Sequence, residues 1–96
     1  MDDRIKHHVD GIDKGDILLF ALSTCGWCFK TKALLKQFGV RFSYIDVDTL
    51  DWDDAEVVSK EIKKYTSRVS YPTLIFNKKE SIVGYDPDRL TELLGN

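Results

Sequence analysis

Cys25 and Cys28 are the only cysteines in the chain and stand as Cys25-Gly26-Trp27-Cys28. A thiolate is both a nucleophile and a metal ligand, so this spacing admits disulfide exchange or half of a zinc site. The apolar run Ile17-Leu18-Leu19-Phe20-Ala21-Leu22 precedes the pair, and a helix-like segment from Phe29 to Phe38 follows it. The thiols therefore stand at a strand-to-helix junction. A thiolate in the first helical turn faces unpaired backbone N–H groups and the positive end of the helix dipole, which lower its pKa. The second thiol, one turn along, can displace whatever becomes bound to the first. Zinc would need two more ligands, and the only histidines, His7 and His8, are adjacent rather than spaced as in zinc sites. A purely structural pair is a poorer match, because Gly-Trp between two cysteines at such a junction is not a core pattern.

The elements that must position the pair follow from periodicity. Asp16 to Leu22 reads as a strand covered on both faces. Helix one begins near Gly26 or Trp27, with Cys28, Thr31, Leu35 and Phe38 on one face widened by Leu34. Lys30, Lys32 and Lys36 read as its solvated side, and Gly39 as its left-handed cap. Residues 41–48 alternate as a second strand, which completes a βαβ unit. Asp51 to Thr66 forms an amphipathic helix on Ala55, Val58, Ile62 and Tyr65. The acidic run from Asp46 to Glu56 lacks the calcium-loop pattern and reads as charge complementing that helix's dipole. Thr73 to Phe76 and Glu80 to Gly84 form an antiparallel hairpin around Asn77-Lys78-Lys79. Asp86 caps a last helix that starts at Pro87 and buries Leu90, Leu93 and Leu94. Residues 1–15 carry Ile5, Val9 and Ile12 at helical spacing, so a short docked turn or helix is expected there.

The whole is an α/β domain with a mixed sheet and helices on both faces. Its 96 residues make one small domain, 16–96, preceded by the extension 1–15. A formal charge of −2 argues against nucleic acid as partner. No run is long and apolar enough for a membrane span, and Met1 to Lys6 holds no signal-peptide stretch, so a cytoplasmic protein with reduced thiols is expected.

This element order resembles the glutaredoxins of the thioredoxin superfamily over roughly residues 16–95. The resemblance is carried by Thr24-Cys25-Gly26-Trp27-Cys28, by Tyr71-Pro72-Thr73 and by Gly84-Tyr85-Asp86-Pro87-Asp88, in that order. It implies a thioredoxin-like (glutaredoxin) fold, βαβαββα, with four strands, three helices and a cis bond before Pro72. It also implies thiol–disulfide exchange by a monomer, with no tightly bound cofactor. Cys25 is the expected nucleophile, and the inward-facing Cys28 resolves the mixed disulfide. Gly26 allows close backbone approach, Trp27 offers an apolar surface or a lid, and Thr24 bonds a thiolate or caps. Tyr71, before Pro72, offers backbone groups to the substrate, and Gly84 and Asp86 lie where the family grips glutathione.

The departures concern the electron donor. Glutathione-dependent members commonly carry Lys or Arg where this chain has Leu22, and Gly-Gly where it has Gly84-Tyr85. Two contacts to glutathione are thus missing, one of them charge-assisted. The expected source is a coenzyme M type thiol or a thioredoxin-reductase-type flavoenzyme rather than ordinary glutathione. Expected partners are disulfide-containing proteins, with ribonucleotide reductase suggested by the tail from Gly84 to Leu90. The rival reading is a dimer bridging an iron–sulfur cluster; such glutaredoxins mostly replace the second cysteine, which is present here as Cys28.

Overall fold

A computed structural model describes residues 1–95; Asn96, the assigned end of the domain, lies outside the described residues. The central strand β2 (Ile17–Ala21) pairs in parallel with β3 (Phe42–Asp46) and antiparallel with β4 (Thr73–Phe76). Strand β5 (Glu80–Val83) closes one edge against β4. Three helices follow in chain order, α1 (Gly26–Phe38), α2 (Trp52–Ile62) and α3 (Pro87–Leu94).

The alternation of β2 divides the core. Ile17, Leu19 and Ala21 point to one face, where Cys28 and Leu35 of α1 and Leu90 and Leu94 of α3 cover them. Phe20 points to the other, against Val58 and Ile62 of α2. A strand apolar on both sides is what such a double cover requires. Gly39, at φ +71, ends α1 in the left-handed conformation. Asn77 and Lys78, both at φ 55, turn β4 into β5, and Asn77 ties that turn to Asp16 at the start of β2.

Two expectations need correction. Among the described residues the sheet has five strands, not four, in the order β1 (His7–Val9), β3, β2, β4, β5. The added strand β1 (His7–Val9) lies in the extension and pairs antiparallel with β3, following only a short 3₁₀ turn at Asp3–Ile5. Ile5, Val9 and Ile12 share no face: Ile5 packs toward α2, Val9 toward α1, and Ile12 is exposed. Gly11 then lets the chain run against the backbone of residues 39–41, where any Cβ would come within 2.7 Å of three backbone atoms. The second correction is the end of α2, which stops at Ile62 rather than Thr66. Lys64 and Tyr65 bond to the carbonyls three residues back, so the last turn tightens and the helix is spent.

Candidate active site

Cys25 ends the loop after β2 and is itself the N-cap of α1. Its Sγ accepts the Cys28 N–H at 3.2 Å. Thr24 is exposed and is not the cap; the hydrogen bonding in that loop belongs to its neighbour Ser23. Cys28 lies on the inner face of α1 and is fully buried, whereas Cys25 is partly exposed.

The two thiols are driven apart electrostatically. Partial desolvation opposes ionisation of Cys25, but hydrogen bonds from the Cys28 thiol and from the Cys28 and Trp27 N–H groups outweigh it. With the Lys32 ammonium they hold Cys25 below the ordinary thiol value. Burial, then the hydrogen bond it gives Cys25 and the charge there, push Cys28 up to about 11. One thiol is thus poised to ionise at the surface, and the other keeps its proton beneath it.

Trp27, Tyr71, Pro72, Gly84 and Tyr85 line one open cavity of about 270 Å³ beside the dithiol. The Tyr71–Pro72 peptide is cis. Gly84, at φ +83, donates its N–H to the Pro72 carbonyl at 2.7 Å, which holds the β5 end against the cis-proline loop. The Tyr85 ring stacks on Trp27 with centroids 5.7 Å apart, and Lys30 Nζ sits 4.6 Å from that indole ring. Gly26 has open space around its Cβ position, so nothing among the described residues demands a glycine there. Asp86 caps α3 by accepting the Arg89 N–H at 3.0 Å, as expected. A larger cavity of about 420 Å³ lies at the far end of β2, by Ile17, Tyr65 and Lys78, with neither cysteine in its wall.

Asp48, Asp46 and Lys32 do more than carry surface charge. Asp48 accepts the Ser23 N–H at 2.8 Å and also its hydroxyl, pinning the loop two residues before Cys25. Those bonds hold the Asp48 carboxyl below its ordinary value, and its charge in turn helps burial raise the Tyr71 hydroxyl. Asp46 pairs with Lys32 at 2.8 Å. Only the later part of the acidic run serves the start of α2, with Asp51 as its cap. The spacing of Lys32 one turn beyond Cys28 was a usable signal; Asp48 had none, because its partner is distant in sequence. His7 and His8 lie on β1, where His7 stacks on Tyr44 and His8 bonds Ser43.

A dithiol capping a helix, set beside a cis-proline loop on a mixed sheet, defines a thiol–disulfide oxidoreductase of thioredoxin-like fold. The family model described as Glutaredoxin matches residues 17–81. The chain belongs to the glutaredoxin family. It is similar to the solved methanoredoxin of Methanosarcina acetivorans, at 43% identity and a TM-score of 0.88, covering 95% of each chain. The solved glutaredoxin of Methanosarcina mazei Go1 is 41% identical, with a TM-score of 0.87 over 95% of this chain and 88% of that one. Glutaredoxin-C1 of Arabidopsis thaliana is 27% identical over 70 residues, 73% of this chain; the chain spans 54% of that relative's length.

Proposed function

We propose that the chain reduces protein disulfides by a dithiol mechanism in which Cys25 attacks and Cys28 resolves. The Cys25 thiolate attacks one sulfur of a substrate disulfide; a Cys25–substrate disulfide forms, and the other substrate sulfur leaves as a thiolate that takes up a proton. Cys28 then loses its proton and attacks Cys25 Sγ, releasing the second substrate thiol and leaving the Cys25–Cys28 disulfide. Two electrons have passed to the substrate. The first step also readies the second. Once Cys25 is covalently bound, the hydrogen bond to it and its charge no longer raise Cys28, and only burial keeps that thiol protonated.

The observation that carries this reading is the opposite bias of the two thiols within one helical turn, one accessible and lowered, the other buried and raised. Trp27, Tyr71, Pro72, Gly84 and Tyr85 supply the adjoining surface for the substrate. The Tyr85 ring occupies, against Trp27, the side on which a second glycine would leave a groove open, and Leu22 supplies no cation. Both features favour a donor other than glutathione: a compact thiol of the coenzyme M type, or a thioredoxin-reductase-type flavoprotein. Insulin disulfide reduction tests both halves. With dithiothreitol the native chain is active and Cys25→Ser is dead. With glutathione and its reductase, native turnover is at least about tenfold below that of an ordinary glutaredoxin, the cost of one missing charge-assisted contact. An active Cys25→Ser, or full glutathione-coupled turnover, contradicts the corresponding half.

A further inference from the structure

The sheet face under α2 is not fully covered. Phe20, Ile45 and Ile75 are buried there, but Leu18, on the same face, is the one residue of the central strand left partly exposed. Its register partners are Ser43 on β3 and Ile75 on β4, so the three form one row across the sheet. That row floors the cavity of about 420 Å³, walled on the helix side by Glu61, Lys64 and Tyr65 at the end of α2. The Ser43 hydroxyl is held in place by His8 of β1, whose Nδ1 lies 2.8 Å from its Oγ.

Three lysines from separate segments reach this cavity: Lys6 ahead of β1, Lys64 after α2 and Lys78 in the β4–β5 turn. Lys64 is taken by Glu61 at 2.9 Å. Among the described residues neither Lys6 nor Lys78 has a carboxylate within 4.0 Å, although Lys6 is partly buried. The wall thus sets three ammonium groups against the carboxylates of Asp16 and Glu61, in a chain whose formal charge is −2. An uncovered apolar floor under unpaired cations suits a ligand with an apolar ring and an anionic end. A phosphate monoester carries roughly −1.5 to −2 at pH 7, a match for two unpaired lysines.

We propose that this cavity is a second binding site, separate from the dithiol, for a small organic phosphate of mononucleotide size. Its ring lies on Leu18 beside Tyr65, Lys6 and Lys78 take the phosphate, and Ser43 offers a hydrogen bond. The volume is toward the lower end for small-molecule sites, which suits one nucleotide rather than two. Asp16 opposes part of the attraction.

The test follows the backbone amide resonances of the ¹⁵N-labelled, reduced native protein during titration with AMP, adenosine and inorganic phosphate. AMP is expected to shift the amides of Leu18, Ser43, Tyr65 and Lys78 saturably, while Gly26 and Gly84 beside the dithiol stay in place. Adenosine and inorganic phosphate should each bind at least about tenfold more weakly, since each keeps only one of the two contacts. Lys6→Gln and Lys78→Gln should each weaken AMP by about threefold, the scale of one exposed ion pair, and Asp16→Asn should strengthen it similarly. Lys78 lies in an exposed turn, so its variant tests the site even if Lys6→Gln does not fold. No saturable shift at millimolar AMP, or an affinity that the lysine variants leave unmoved, overturns the site. Inorganic phosphate binding as tightly as AMP overturns the nucleotide in favour of a bare anion, and adenosine binding as tightly overturns the role of the lysines. The cavity shares no residue with the one beside the dithiol, so none of these results bears on the redox chemistry.

Discussion

At the scale of single residues, Leu22 and Tyr85 carry the specificity claim. Each stands where a glutathione-dependent glutaredoxin would offer a cation or open space. The double variant Leu22→Lys/Tyr85→Gly is therefore expected to gain glutathione-coupled turnover, by about tenfold or more in kcat/KM, since a charge-assisted contact is worth roughly 1.5–3 kcal/mol. Unchanged turnover in a folded double variant contradicts the assignment of those two positions. Asp48 makes a different kind of contribution. Asp48→Ala removes both acceptors for Ser23 and frees the loop before Cys25, whereas Asp48→Asn keeps one acceptor for the N–H and an amide for the hydroxyl. The alanine variant should lose several-fold in exchange rate in a dithiothreitol-coupled insulin assay and the asparagine variant little. Equal rates in all three proteins would show that the loop needs no clamp.

Among the elements, what could be read from sequence was what repeats locally. β2, α1, the hairpin and α3 were each legible because their apolar spacing, caps and turn residues lie within a few positions of one another. The Cys25–Cys28 pair and the cis-proline step were legible as motifs. What escaped depends on distant partners. β1 is a strand only because Tyr44, far along the chain, gives His7 a ring to stack on and β3 gives it a ladder. The apolar residues of the extension follow helical spacing, yet Ile5 and Val9 pack on different faces and Ile12 is exposed. Lys32 reads as a solvated lysine until the end of β3 brings Asp46 to it. Gly11 is the point where this long-range docking can be tested. Gly11→Ala sets a Cβ 2.5–2.7 Å from backbone atoms of residues 39–41, and overpacking against backbone costs about 1–3 kcal/mol. Urea unfolding should show that loss as a lower midpoint; an unchanged midpoint means the extension does not dock as described.

For the whole molecule, the dithiol couples folding to pH with two opposite signs. Cys25 ionises more readily folded than unfolded, so its contribution is complete above the ordinary thiol value and is lost as pH falls through its lowered midpoint. Cys28 behaves inversely. Between 9.0 and about 11 the unfolded chain sheds a proton that the folded chain keeps, so the unfolded state binds fewer protons and stability falls as pH rises. The loss amounts to roughly 2 kcal/mol over that window. The stability of the reduced protein, relative to a Cys25→Ser/Cys28→Ser variant, should therefore peak near pH 9 and decline above it. A difference that climbs steadily through the alkaline range contradicts the buried, proton-retaining role of Cys28. The most direct measurement concerns the division of labour itself. Cys28→Ser is mixed with a disulfide-bearing protein substrate, quenched in acid, and the covalent adduct mapped by peptide mass. The adduct should accumulate through Cys25 and persist until a small thiol is added, while Cys25→Ser forms none. An adduct through Cys28 in Cys25→Ser, or no adduct in Cys28→Ser, contradicts the account.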